Sequence, residues 1–103
     1  MGKVVNVKSG EPYEVYIGWE NGRYRLKRSI WANPYNKAFR AGLITRREAV
    51  ELYIAHILSS PKLLKRLPEI RNKVLGCWCA PELCHGDALL WLAAWACRRG
   101  GDV

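Results

Sequence analysis

Short runs rich in Val, Tyr and Ile open the chain, and apolar residues at helical spacing follow later. Residues 4–7 and 13–18 are such runs, split by the turn-prone Ser9-Gly10-Glu11-Pro12, and each reads as a strand. Asn21-Gly22 marks a turn, with a short third strand predicted over residues 24–27. Residues 29–35 lack a helical period and carry an Asn-Pro turn signal, so they form a loop holding Trp31 and Tyr35.

Thr45-Arg46-Arg47-Glu48 matches a capping box, in which the Thr and Glu side chains satisfy each other's free amides, and it starts a helix that runs to Leu58. Ala49, Leu52, Tyr53, Ile57 and His56 are expected on its buried side. Ser59-Ser60-Pro61 ends that helix and opens a short one over residues 62–66, because Pro suits a first helical turn. Residues 74–79 are apolar throughout and read as a central strand. Asp87 is placed to cap a last helix over residues 88–99, apolar on every side, which must be buried or pack on another subunit; the last three residues are expected to fray. The order of elements predicts a single α/β domain over residues 1–103, with a small, mostly parallel or mixed sheet and helices packed on it.

Composition adds a bias in charge. Lys and Arg number 17 against nine Asp and Glu, a net charge of +8, which favours polyanionic partners such as nucleotides or nucleic acid. The amino terminus lacks the apolar run of a signal peptide, and no segment approaches the roughly 18 to 20 residues of a membrane span, so a cytoplasmic protein without membrane partners is expected.

Chemistry concentrates in CWCAPELCHGD, residues 77–87. Three of the four cysteines fall there, and in a reducing compartment such clustering points to a metal or reactive-thiol site before a disulfide framework. In a strand, Cys77 and Cys79 share one face and Trp78 takes the other, while a short loop returns Cys84 and His85 to the same end. Three uses stay open. Cys77, Cys79, Cys84 and His85 supply the number and type of ligands for zinc, although their spacing is unusual. Alternatively Cys84 is a nucleophile whose thiolate the helix dipole stabilises, with His85 as acid or base, Asp87 orienting it and the helix start receiving phosphate. Lastly, the thiols can be small buried hydrophobes, the reading adopted for Cys97.

Tyr16-Ile17-Gly18, then Ser29, Trp31, Asn33 and Pro34, the helix with Glu48, Ala49 and Tyr53, and the closing motif from Leu75 to Asp87 resemble one family, domain of unknown function 4326, found in phages, bacteria and archaea. The resemblance covers nearly the whole chain and implies that the loop of Trp31, Asn33 and Pro34 joins the Cys-His segment in one site. Trp19 stands where the family pattern has Arg, so Arg23, Arg25 or Arg28 would take over any phosphate contact. The expected site therefore comprises Gly18, Arg28, Trp31 and Asn33 for binding, with Trp31 stacking on a base and Asn33 reading its edge, beside Cys77, Cys79, Cys84, His85 and Asp87. The leading expectation is an enzyme or enzyme-like domain for a nucleotide, nucleobase or nucleic-acid derivative. The alternatives are a zinc-stabilised nucleic-acid-binding module and a homo-oligomer joined through the last helix.

Overall fold

The computed structural model describes residues 2–101. Among them, three short strands form one sheet: β1 (Lys3–Asn6), β2 (Val15–Tyr16) and β3 (Val74–Cys77). The order is β1-β3-β2 and both pairings are parallel, with Val4 opposite Leu75 on one side and Tyr16 opposite Gly76 on the other. The expected α/β domain with a small parallel sheet is what forms. β3 is central, as its unbroken apolar run implies, since a strand covered on both faces has no polar side to alternate with.

Residues 24–27 form no strand. The Asn21 side chain accepts from the Tyr24 amide, Gly22–Tyr24 coils into a 3-10 turn, and Arg25 enters the left-handed region at φ 56°, leaving a single bridge between Asn21 and Leu26. Local side-chain capping has outcompeted the ladder there. A short helix absent from the sequence reading, α1 (Asn36–Arg40), follows the Asn-Pro loop. Helix α2 (Arg46–Leu58) opens on the complete capping box of Thr45 and Glu48, and α3 (Pro61–Arg66) carries Pro in its first turn and the Ser60 side chain on the Leu63 amide.

Two boundaries differ in ways that shape the site. β3 stops at Cys77, two residues early, and α4 (His85–Gly101) begins three residues sooner than expected. Asp87 thus sits inside the first turn and caps by reaching back, its Oδ2 accepting from the Cys84 amide at 3.0 Å. Gly101 closes α4; residues 102–103, the rest of the tail expected to fray, lie outside the described residues.

The core joins Ile17, Tyr53, Ile57, Leu75, Leu89 and Leu92, with Leu67 and Ile70 of a 3-10 turn against α4. On α2, Ala49, Tyr53 and Ile57 are buried, but Leu52 is 38% exposed and Ile54 packs in its stead. Helix α4 buries Ala88, Leu89, Leu92 and Ala93 within its own domain and leaves Trp91 60% exposed. Cys97 is half-buried, at the edge of the core instead of inside it. No helix among the described residues is long and apolar enough to cross a membrane.

Candidate functional site

All three strands point their carboxyl ends at one cleft of about 770 Å³. Lys8 reaches it from beyond β1, Tyr16 and Trp19 from β2, Cys77 to Cys79 from β3, and His85 from the start of α4. Parallel strands make this edge the natural ligand site of an open α/β sheet, because the connecting loops and the helix amino termini collect there. Asn36, Phe39 and Arg40 of α1 close the far side.

One wall is aromatic and tied together by a single hydroxyl. Tyr16 donates to the Trp19 carbonyl at 2.6 Å and accepts from the Trp78 indole at 2.8 Å. Trp78 also meets the rings of Tyr16 and Tyr24 edge to face, at 6.4 and 5.1 Å. The Trp19 indole donates to the Asn33 carbonyl at 3.0 Å, and Arg28 lies over its ring at 4.9 Å. Gly18 permits this arrangement: a Cβ there would stand 2.5 Å from the Tyr16 hydroxyl. Asn6 fastens the opposite end, donating to the carbonyls of Trp78 and Ala80.

The thiols gather behind that wall. Since β3 ends at Cys77, face alternation no longer holds, and Cys77, Trp78 and Cys79 all line the cleft. Cys77 Sγ accepts from the Ala80 amide at 3.4 Å. Cys84, buried just before α4, accepts from the Gly86 amide at 3.4 Å. His85 places Nε2 2.8 Å from the Ile17 carbonyl. A carbonyl can only accept, so the proton is on Nε2 and bare Nδ1 faces the Cys84 thiol at 3.5 Å. The ring packs edge to face on Tyr53 at 4.8 Å, and Tyr53 donates to the Trp31 carbonyl.

These contacts rank the groups. Hydrogen bonding to Cys84 lowers Cys79 to about 6 against the pull of burial, helped by the Arg46 guanidinium. The Cys84 contact likewise lowers Cys77, to about 7, with the amides of Ala80 and Cys79 assisting. Contact with Cys77 and Cys79, together with burial, moves Cys84 sharply upward. Burial pushes His85 down, so the imidazole is neutral at pH 7.

The structure brings Gly18, Asn33, Cys77, Cys79 and His85 to the cleft. It does not bring the others there as expected. Trp31 is 3% exposed in the core and offers no stacking face, because its indole fills the space beside Tyr53 and Leu75. Arg28 is spent over Trp19 outside the lining, and of the three candidate arginines only Arg23 lines the cleft. Asn33 turns its side chain inward, donating to the Ala49 carbonyl and accepting from the Tyr35 amide, so it pins loop to helix. The amide cap occupies Asp87, and the Ile17 carbonyl orients His85 in its place. Contact with Cys77 and Cys79 favours the protonated form of Cys84, opposing the helix-dipole stabilisation expected for its thiolate. Among the described residues no three His, Cys, Asp or Glu side chains stand in a metal-holding arrangement, so the zinc reading of Cys77, Cys79, Cys84 and His85 would need these side chains to shift.

Sequence reasoning missed Trp19, Tyr24 and Trp78 as cleft walls, together with Lys8, Arg40 and Arg46. The available signal was position: Lys8, Trp19 and Trp78 each follow a strand by one to three residues.

Comparison with known proteins names a family and no activity. The family described as "Domain of unknown function (DUF4326)" matches residues 5–95. The chain is similar to "Uncharacterized protein R718" of Acanthamoeba polyphaga mimivirus, 33% identical over 90 residues, covering 77% of this chain and 65% of the viral protein. The chain thus spans about two thirds of the length of that relative. No solved structure matches.

Proposed function

Since the chain belongs to the DUF4326 family, whose name carries no activity, the reading has to come from the cleft, and we propose that it is an enzyme-like site for a nucleoside phosphate. One observation carries this reading: at the carboxyl edge of a parallel sheet, a cleft of about 770 Å³ combines exposed aromatic surface with the cations Lys8, Arg23 and Arg40. That volume suits a nucleotide-sized ligand. Trp19, 37% exposed, presents the best surface for a base, and the cations suit the phosphate. Cys77, Cys79 and His85 then lie beside the ligand as the reactive groups. Four free cysteines suit a reducing, cytoplasmic setting.

The test is thermal unfolding of the full chain with mono-, di- and triphosphates of each nucleoside, compared with nucleosides and inorganic phosphate. A ligand at about 100 times its Kd adds roughly 2.7 kcal/mol, a shift of several degrees. Nucleotides should exceed both the nucleoside and phosphate alone. Equal, null shifts across the set would remove the reading.

The net charge of +8 favours a second reading, a non-catalytic nucleic-acid-binding module. It requires binding of single-stranded DNA or RNA that weakens steeply between about 50 and 200 mM salt, in wild type and in Cys79→Ser alike.

A further inference from the structure

We infer that Cys79, the one thiol of the motif that is not buried, is the nucleophile of this cleft, its sulfur placed to attack an electrophilic carbon of the bound molecule. Only the class of that molecule rests on the nucleotide reading; the nucleophile rests on the placement of the thiols. Cys79 is half-buried and lines two adjoining spaces, the main cleft and a recess of about 30 Å³ that also takes in Cys84 and Arg46. It therefore faces the open cleft on one side and a cation with a second thiol on the other. Cys77 lines the cleft but not the recess, and Cys84 lines the recess but not the cleft.

Arg46 is fixed for this task. Its guanidinium donates to the Leu83 carbonyl at 3.2 Å and lies over Phe39 at 4.9 Å, which holds the charge beside Cys79. Cys84 is kept in place by the Gly86 amide and by His85, whose ring is itself locked between the Ile17 carbonyl and Tyr53. Arg46 and Cys84 are positioning residues, and Cys79 is the group that reaches the ligand. In the step itself, the sulfur's electron pair forms an S–C bond while the bond from that carbon to its leaving group breaks. The leaving group departs with the released pair, and no redox partner is required.

The experiment is limiting iodoacetamide on the folded full chain at pH 6.5, with zinc measured on the same sample and alkylated sites mapped by peptide mass spectrometry. Here the sulfur displaces iodide, so the rate follows the thiolate and its access. Cys79 should react first, at least severalfold faster than any other thiol, since Arg46 shares its recess and a neighbouring cation favours the attacking sulfur. Arg46→Gln should slow Cys79 severalfold, and Arg46→Lys should restore most of the rate. Cys84→Ala should slow it while Cys84→Ser, which keeps a donor, should not; this pair serves if Arg46→Gln fails to fold. Preferential alkylation of Cys77 or Cys84, indifference of Cys79 to both sets of variants, or one zinc per chain with the three thiols masked would overturn the inference. Adenosine monophosphate should protect Cys79; a fast Cys79 that no nucleotide protects would support the nucleophile and count against the proposed ligand class.

Discussion

Tyr16→Phe removes one oxygen and tests whether a single hydroxyl holds the aromatic wall. That oxygen donates to the Trp19 carbonyl at 2.6 Å and accepts from the Trp78 indole at 2.8 Å. Each such bond contributes a net of about 0.5–1.5 kcal/mol. Both partners lie near the cleft, where water can replace part of the loss, so the expected destabilisation is about 1–2 kcal/mol. For a domain of this size that corresponds to a fall in Tm of roughly 5–15 °C. The ring remains, so its packing against Trp78 is unchanged. Urea unfolding followed by circular dichroism measures the stability, and nucleotide titration measures the cleft. Binding should weaken at least severalfold, because the carbonyl of one wall residue and the indole of the next lose their common tie. A variant within about 0.3 kcal/mol of wild type with unaltered binding would refute the argument, and would mean that packing alone positions Trp19 and Trp78.

Three other outcomes follow from particular contacts. Thr45→Ala breaks the capping box of α2 and should cost about 1 kcal/mol in urea unfolding, leaving Cys79 alkylation unchanged. Gly86→Ala puts a Cβ 2.8 Å from Ile17 Cδ1 and 3.0 Å from Val4 Cγ2, so a destabilisation of about 1–3 kcal/mol is expected; an unaltered midpoint would show that these side chains give way freely. Burial lowers the pKa of His85 in the fold, so the unfolded chain takes up its proton first as pH falls. Its contribution is complete above the ordinary histidine value near 6.5 and is lost as pH falls below it. Stability measured from pH 7.5 to 5 should decline in wild type and decline less in His85→Gln.

Much of the molecule was legible in the sequence wherever local chemistry decides the outcome. The capping box from Thr45 to Glu48, Pro61 in a first helical turn and the apolar run that became β3 each satisfy backbone groups or bury side chains within a few residues, and each formed as expected. The motif of residues 77–87 was likewise identifiable as a cluster, three thiols and an imidazole in a short span, and the fold sets Cys77, Cys79 and His85 of it along the cleft.

Tertiary structure decided the rest. That β1 and β2 both run parallel to β3 is a long-range fact, and it alone directs Lys8, Trp19 and Trp78 to one edge. Trp31 and Trp19 look alike as sequence, yet one fills the core and the other faces the cleft, since burial depends on what packs across the chain from each. The order of the thiols was hidden for the same reason. Cys84 sits nearest a helix start, which taken alone favours its thiolate, but contact with Cys77 and Cys79 and burial favour its protonated form, while Arg46, distant in sequence, lends its charge to Cys79. By itself the sequence determined where thiols and imidazole cluster and most of the local elements; only the fold decided which of those residues face one another, because Coulomb and desolvation energies depend on separations and burial that spacing along the chain does not encode.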